Sequence, residues 1–571
     1  MKNMIVGNNK KYKWLYFIMV LGVVLINVKS VFVDYNVDSE YAVTMAYRMV
    51  RGDRMLSEMW EPHQTSAFLC ALFIKIYLAL FHSTTGIILY LHFMGLTLKC
   101  LVILVLFRTM KLYVKPKSAY FMCLVFGAMS PKGTIMPEFA NMQIWFSVCM
   151  FCSLIYFLNN QHKKFWLILT GVFLCLEVLA YPSCVIVYIG VLFILFKNTK
   201  ENWKNVICFS LVCVLIGTTY ILWISQGMPL AELIYNIEYI IMGDASHGQP
   251  IWYKLGGYVG QFAGMVLKLL FFGFLSCVLI TLINLLIRKN RVTNIKKNPY
   301  ILFGYLLLGY GVITSVLAKE RYEYILIFIP ILFMTFRCKK YCDSKEQLVI
   351  RVGLTISIGG FVATLLLSNM TLEASMSYLI LAVCVSVIPA LYMLEQNVEN
   401  VSKVIKAGLI WGFCALLIFR GGYIITPMSN HVATIFQIEG VVRSGPAMGM
   451  ISTYMGPHII NISMDEWKEY VKEGDKVLLV GKDSLSTIGY LYEDVSICAS
   501  STISTPTFDE KILEYWNKNP EKYPNVVIID SWFGDLSRYE NSWIMHWLES
   551  EFEIDEIKEG QYWRYYRRSV Y

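Results

Sequence analysis

The sequence predicts an all-α polytopic membrane bundle of about thirteen transmembrane helices, followed by a small α/β domain at the C-terminal end. Three observations carry that expectation. Of the 571 residues, 56% are hydrophobic and only 16% charged, with a mean hydropathy of +0.52; soluble domains run nearer ~45–50% apolar and ~25% charged. Apolar runs of about 17–22 residues recur, the length that crosses a bilayer core. The charge is also uneven. The chain carries +9 overall, yet the tail from Asp465 to Tyr571 holds 21 acidic against 12 basic residues, which leaves +18 on the rest. Those basic residues are scattered through short loops between apolar runs, a pattern of cytoplasmic loops and not of a nucleic-acid surface.

The first apolar run, Trp14 to Val33, follows the basic start "MKNMIVGNNKKYKW". It has no small-residue cleavage site and is too long for a signal-peptide core, so it reads as a retained span. The loops 108–117, 159–164, 197–204, 288–297 and 337–345 are basic and predict a cytoplasmic side. Between them lie 132–138, the "AYPS" break at 180–183, 225–255, 318–322 and 368–375, which are less basic or acidic. Strict alternation requires that Thr65–Phe81, which carries Lys75, lies along the outer surface and does not cross. The spans are then about 14–33, 85–107, 118–131, 139–158, 165–180, 181–197, 206–224, 258–287, 299–317, 323–337, 349–367, 376–394 and 403–420. An odd count puts the amino terminus in the cytoplasm and the acidic tail outside a plasma (inner) membrane. Residues 1–425 form the transmembrane domain, with a first outer loop at 34–84; 426–464 link it to an extracytoplasmic α/β domain at 465–571.

In the tail, "KVLLVGKD" (476–483) and "NVVIID" (525–530) read as short buried strands, residues 508–523 as an amphipathic helix and "QYWRYYRR" (561–568) as a final strand. Gly481 is a lone turn glycine; without GxGxxG or a P-loop it makes no nucleotide site, and the domain reads as one for packing or substrate presentation. Most of the fifteen cysteines lie in apolar runs and form no disulfide framework. Cys338 and Cys342 have no second pair or histidines beside them. No metal ligands are assigned and no cofactor is expected, with a divalent metal left open.

The chemistry concentrates in the first loop, "VDYNVDSEYAVTMAYRMVRGDRMLSEMWEPHQ", residues 33–64. It holds Asp34, Asp38, Glu40, Asp53, Glu58 and Glu61 together with Arg48, Arg51 and Arg54. Asp38 to Gly52 reads as a short helix capped by Asp38, with Val43, Ala46 and Val50 on its apolar side. A carboxylate fixed there suits general-base chemistry on a hydroxyl that attacks a sugar carbon; an N-cap that only stabilises the helix accounts for Asp38 equally well. In "AKERYEYILIFIP", Lys319 and Arg321 are basic on the outer side, against the usual bias, and an Arg fork suits phosphate oxygens; ordinary headgroup contact is the competing reading. Lys99 and Glu177, inside spans, read as structural or headgroup groups, their mutual pairing left open. Asp244 and His247 are polar in the otherwise apolar 225–255 loop.

A first span, an acidic "DSEY" helix, a "GD" and an aromatic–Pro segment together resemble the GT-C superfamily of lipid-linked-sugar glycosyltransferases, in particular its protein O-mannosyltransferase and aminoarabinose transferase branch. The resemblance covers roughly residues 14–340 and rests on short motifs. It implies that Asp38 is the catalytic base, with Asp34 or Glu40 as alternatives. It implies a second acid at Glu138, in "SPKGTIMPEFANMQ", and carrier-phosphate contacts at Lys319, Arg321 and Tyr322. The family's Lys-Pro-Pro is replaced by "WEPHQ", so a phosphate-binding lysine is missing there and His63 is the candidate in its place. The implied activity is inverting transfer of a glycosyl group from a polyprenyl-phosphate-linked sugar to an extracytoplasmic hydroxyl of a cell-envelope glycan, lipid or protein. A multi-span transporter or flippase, or an envelope polysaccharide polymerase, is the alternative; a transporter predicts internal repeats and paired broken helices, which the sequence does not show.

Overall fold

The computed structural model describes residues 10–33, 37–61, 63–130, 135–160, 163–225, 228–243, 251–287, 342–367, 372–395, 422, 424–427, 432–453, 456–481, 488–492, 495–502, 511–531 and 533–568. The expected spans 299–317, 323–337 and 403–420 lie outside these residues. The others are helical: α1 (Lys10–Phe32), α4 (Ile87–Tyr113), α5 (Pro116–Ala128), α6 (Phe139–Asn159), α7 (Lys164–Ala180), α8 (Val187–Asn198), α9 (Asn202–Ile224), α11 (Ile251–Ile287), α12 (Ser344–Leu367) and α13 (Ile380–Glu395). Between them come α2 (Val37–Arg51) and α3 (Phe68–Phe81) in the first loop and α10 (Leu230–Gly243) after α9. Five of the described helices are long and apolar enough to cross a membrane: Gln64–Phe81, Ile87–Tyr113, Phe139–Asn159, Asn202–Ile224 and Ser344–Leu367. Several bundle helices are shorter than a straight crossing, with 13 residues in α5, 17 in α7 and 12 in α8, which a 3-10 turn at Pro182–Ile186 precedes.

Buried apolar side chains fall into two clusters. The first is the bundle core, from α4 to α8 with α12 and α13. Outside it, α9 buries only Asn205 and Phe209, so its Leu211, Val214 and Leu215 face outward as a lipid-facing helix requires. The second cluster joins α2, α3 and the start of α4 to the C-terminal domain. The segment Gln64–Phe81 therefore qualifies as a span by length and composition, yet its buried Cys70, Ala71, Ile74 and Tyr77 belong to the core of the α/β domain. The same cluster explains why α2 differs from expectation. One apolar face was expected; in fact Ser39 to Arg48 are all buried, within the cluster that α2 shares with α3 and the C-terminal domain. The helix begins at Val37, which places Asp38 within its first turn and not at the cap. It ends before Gly52, whose φ of +105° a side chain would disfavour.

The C-terminal domain follows two small antiparallel pairs, β1 (Ile424–Pro427) with β2 (Val432–Thr434) and β3 (Ile438–Val441) with β4 (Ile451–Thr453). The turn between β3 and β4 docks on α4: the backbone N–H groups of Gly86 and Ile88 donate to the carbonyls of Gly445 and Pro446 at 3.0 and 3.2 Å. These are first-turn donors that the helix itself cannot satisfy. After α14 (Gly456–Tyr470), a five-stranded sheet runs in the order β6-β5-β7-β9-β8. β5 (Lys476–Val480) is parallel to β6 (Ser496–Ile497) and to β7 (Val526–Asp530), with α15 (Lys511–Lys518) on the connection to β7. β9 (Trp563–Arg568) adds antiparallel to β7 and to β8 (Ile554–Glu559). The expected parallel pair with its crossover helix is there, in a mixed sheet, and α15 is shorter than the helix expected over 508–523. Arg567 closes the sheet's end, with Nη1 and Nη2 donating to the two oxygens of Asp475 at 2.9 and 2.8 Å.

One buried ionic cluster locks the first loop to this domain. The Arg48 side chain has no exposed surface, and all five of its N–H donors have acceptors. Nε donates to Asp53 Oδ2 (2.8 Å). Nη1 donates to Glu61 Oε1 and to the Ala499 carbonyl (3.0 Å each), and Nη2 to the Glu58 carbonyl (2.5 Å) and Tyr515 Oη (3.3 Å). Asp53 also accepts from Lys522 Nζ at 2.5 Å. Glu61 accepts from Thr502 N at 2.8 Å and Ser501 Oγ at 2.7 Å. The quartet Arg48, Lys522, Asp53 and Glu61 is neutral as a set. Burial alone would lower the pKa of Arg48, but Tyr515, Asp53 and Glu61 more than offset it, so the guanidinium stays charged.

Replacing Arg48 by Met should cost about 3–5 kcal/mol, because it strands buried carboxylates. Arg48→Lys should not restore the loss, since three donors on a flexible stem cannot serve five fixed acceptors. Hydrogen exchange at 57–61 and 495–502 should rise in both variants; unchanged protection would show that the cluster does not hold the domain. A second expectation concerns acid. Burial raises Asp475, but hydrogen bonds from Arg567 and the Lys472 backbone outweigh it and hold the carboxyl below its usual range. A depressed carboxylate stabilises the fold above its unfolded value of about 3.9, and that contribution is lost as pH falls through the folded value. Asp475→Asn should therefore lower the melting temperature at neutral pH and flatten its decline in acid; a decline parallel to wild type would remove the assignment.

Candidate functional site

Some of the sequence-derived residues are described and others lie outside the described residues. Asp34, Lys319, Arg321 and Tyr322 lie outside, as do Asp244 and His247. Asp38 is placed by its backbone in the first turn of α2, and Glu40 one turn-step further on is fully buried. Carboxylates in a helix's first turn are favoured by the positive end of its dipole, whatever further role they serve. Of the remaining acids in the loop, Asp53 and Glu61 are committed to Arg48. Glu58 pairs with Arg54 and receives the Arg54 backbone N–H at 2.6 Å. Three of the loop's six acids, Asp53, Glu58 and Glu61, are thus committed to arginines within the loop.

Glu138 and His63 come together at the end of the bundle that the first loop covers. Glu138 caps α6, with Oε2 and Oε1 accepting from the backbone N–H groups of Ala140 (2.9 Å) and Asn141 (2.8 Å). The next residue, Phe139, stacks on His63 at 4.6 Å between ring centroids and 8° between planes. His63 also stacks on Tyr181, at 5.6 Å, and Tyr181 meets Tyr378 at 5.5 Å. Four rings from the first loop, α6, the end of α7 and the turn before α13 therefore meet beside Glu138. Cys70 of α3 reaches the same place, its thiol donating to the Pro137 carbonyl at 3.1 Å. The approach of this loop to α4 depends on Gly95: a Cβ there would overlap the Ile135 carbonyl.

The loop between α9 and α11 closes the first loop from another side. Asn236 of α10 donates to the Leu56 carbonyl at 2.7 Å, and Tyr235 donates to Glu514 of α15 at 2.6 Å. Lys518 sits 4.0 Å over the Tyr235 ring and 5.5 Å over that of Trp60. Lys99 and Glu177 do not pair. Lys99 Nζ donates to the Met129 carbonyl (2.9 Å) and Ser130 Oγ (2.8 Å) at the end of α5, and Glu177 accepts from Gln143 and Ser147. The buried hydrogen-bonding roles of Arg48, Gln143 and Ser147 were not read from the sequence. The arginine was visible as a cation among acids, but two of its partners, Ala499 and Tyr515, lie more than 450 positions away. Among the described residues, no group of three or more His, Cys, Asp or Glu is placed to hold a metal ion.

No family model matches the chain, and no curated protein matches it. Among solved structures it aligns with the apo oligosaccharyltransferase of Archaeoglobus fulgidus over 90% of this chain and 69% of that one, at 12% identity and a TM-score of 0.44. The same enzyme in complex with Zn and sulfate aligns over 90% and 67%, at 13% identity and 0.44. ArnT from Cupriavidus metallidurans bound to undecaprenyl phosphate aligns over 97% and 98%, at 10% identity and 0.45. The alignments are long but loose, and neither the fold nor the activity of this chain follows from them.

Proposed function

We propose that the chain is an integral membrane glycosyltransferase. It takes a glycosyl group from a polyprenyl-phosphate carrier and passes it to a hydroxyl on the extracytoplasmic side, on a cell-envelope glycan, a lipid or a protein. The observation that supports this reading best is the mounting of α2. Its first turn carries Asp38 and Glu40, while Arg48, near its other end, is tied into the α/β domain. A reacting group on such a helix keeps its position at no further cost in entropy.

In this reading residues 1–425 carry the transferase, 426–464 link it to the domain, and 465–571 form an extracytoplasmic domain that braces the first loop. Asp38, or Asp34 or Glu40 in its place, takes the proton of the acceptor hydroxyl as that oxygen bonds to the anomeric carbon. The bond from that carbon to the phosphate oxygen breaks, and its electron pair stays on the phosphate. A single displacement inverts the configuration. Lys319, Arg321, Tyr322 and His63 are the candidates for holding the phosphate as it gains charge, where fixed cations in a poorly solvated site act most strongly. Glu138 is the candidate second acid, a role it would combine with capping α6.

Asp38→Asn should reduce transfer from a labelled polyprenyl-phosphate sugar by about 10²–10⁴-fold with an unchanged melting temperature. Transfer at the wild-type rate would remove Asp38 from the mechanism, and absence of transfer by the wild type to any envelope fraction would remove the proposal. Glu138→Gln keeps a carbonyl to cap α6. It should preserve stability while slowing transfer, whereas Glu138→Ala should also cost about 1 kcal/mol of stability.

A further inference from the structure

The lipid-facing surface of the bundle can be followed to its end on two helices. On α4 the exposed Phe93, Leu101 and Leu104 share one stripe, and on α1 the exposed Leu21, Leu25 and Val28 share another. The stripes meet where Phe32 packs edge-on against Phe93, with 5.8 Å between ring centroids. Directly beyond that contact lies the β3–β4 hairpin. Val33, the residue after α1, bridges to Ile451 of β4. A Cβ on Gly449 would come 2.9 Å from Leu89, one turn before Phe93 on the same stripe. The Met448 methyl lies 3.8 Å from where a Cβ on Gly86 would stand. The hairpin turn also accepts the backbone N–H groups of Gly86 and Ile88 at the start of α4.

One side of this hairpin is covered by α14, whose Pro457 would lie 3.9 Å from a Cβ on Gly440 and whose Met464 would collide with one on Gly445. The rest is apolar and open. Phe436 is 81% exposed, and Ile435, Ile438, Val441 and Met448 are exposed by 40–48%. Glu439 and Arg443 are the only charged residues over 432–453, and both are exposed. A lone two-stranded hairpin is marginal in water, and a contiguous apolar patch marks an interaction surface. Position selects the partner. The patch stands where two lipid-facing stripes end, so the hydrocarbon that covers those stripes is its nearest apolar neighbour outside the chain.

We propose that residues 435–448 form a membrane-interface anchor for the C-terminal domain. Ile435, Phe436, Ile438, Val441 and Met448 enter the boundary between headgroups and acyl chains in the leaflet next to the domain, and Arg443 meets lipid phosphate. The domain beyond has an excess of acids over 465–571, which an anionic leaflet repels, so the attachment is apolar and not electrostatic. The anchor sets the height of the domain over the bilayer and, through Arg48, that of α2. It requires that the chain is an integral membrane protein, as the transfer reading does, but not that it transfers a sugar.

The test is tryptophan fluorescence of the purified full chain in lipid nanodiscs, with Phe436→Trp compared against the wild type so that the native tryptophans cancel. The probes are a phosphatidylcholine brominated on its acyl chains and aqueous iodide. The added emission should be blue-shifted, lost in brominated nanodiscs and retained in iodide. Quenching by iodide without quenching by bromine would place the residue in water and overturn the proposal. Shielding from both would place it against protein, a second copy of the chain included, and would overturn it equally. Val441→Trp should behave in the same way, and it decides should Phe436→Trp fail to fold. Neither position belongs to the proposed transfer machinery and the readout needs no substrate, so its outcome is separate from that of the transfer assay.

Discussion

The burial of one guanidinium, that of Arg48, constrains the rest of the molecule outside the bundle. Its acceptors come from the loop that follows its helix and from two separate segments of the C-terminal domain. Buried ion pairs commonly contribute little net stability, because desolvation offsets the attraction. What they contribute here is register. A shift of the domain by one residue would leave Asp53, Glu61 or Lys522 buried without a counter-charge, and no alternative docking satisfies all five donors of the fork. The domain is thereby committed to one position over the first loop.

That commitment explains the odd composition of the loop. Acids and arginines there are not a solvated face; they are the polar centre of an interface whose apolar part is the second hydrophobic cluster. α2 and α3 are nearer in kind to elements of the α/β domain than to spans, although α3 is as apolar as a span. The bundle follows different physics. Its outer helices expose leucine and valine to lipid, and its polar groups must be satisfied inside. Lys99 capping α5 and Glu177 held by Gln143 and Ser147 are two such cases.

At the junction of these two environments lie the capped start of α6 and the stack of His63, Phe139, Tyr181 and Tyr378. The junction is rigid for identifiable reasons: aromatic packing, a helix cap, and a backbone contact at Gly95 that no larger residue allows.

Much of the helical framework was legible from the sequence alone, because hydropathy is a local property: the transfer free energy of a segment depends on its own side chains. The expected spans that fall on described residues are helical, and the strands at 476–480 and 526–530 and the final strand were readable from short β-branched and aromatic runs. Local pattern was also enough to mark the first loop as chemically unusual. It could not say which acids serve catalysis and which serve docking. Asp53 and Glu61 looked no different from Asp38 and Glu40 until Arg48, Lys522 and the segment 499–502 were brought around them. Nor could it say that α3 would be buried against a domain instead of lipid, or that Lys99 and Glu177 would find separate partners. Each of these was decided by contacts between residues tens to hundreds of positions apart, and such contacts exist only once the chain has closed on itself.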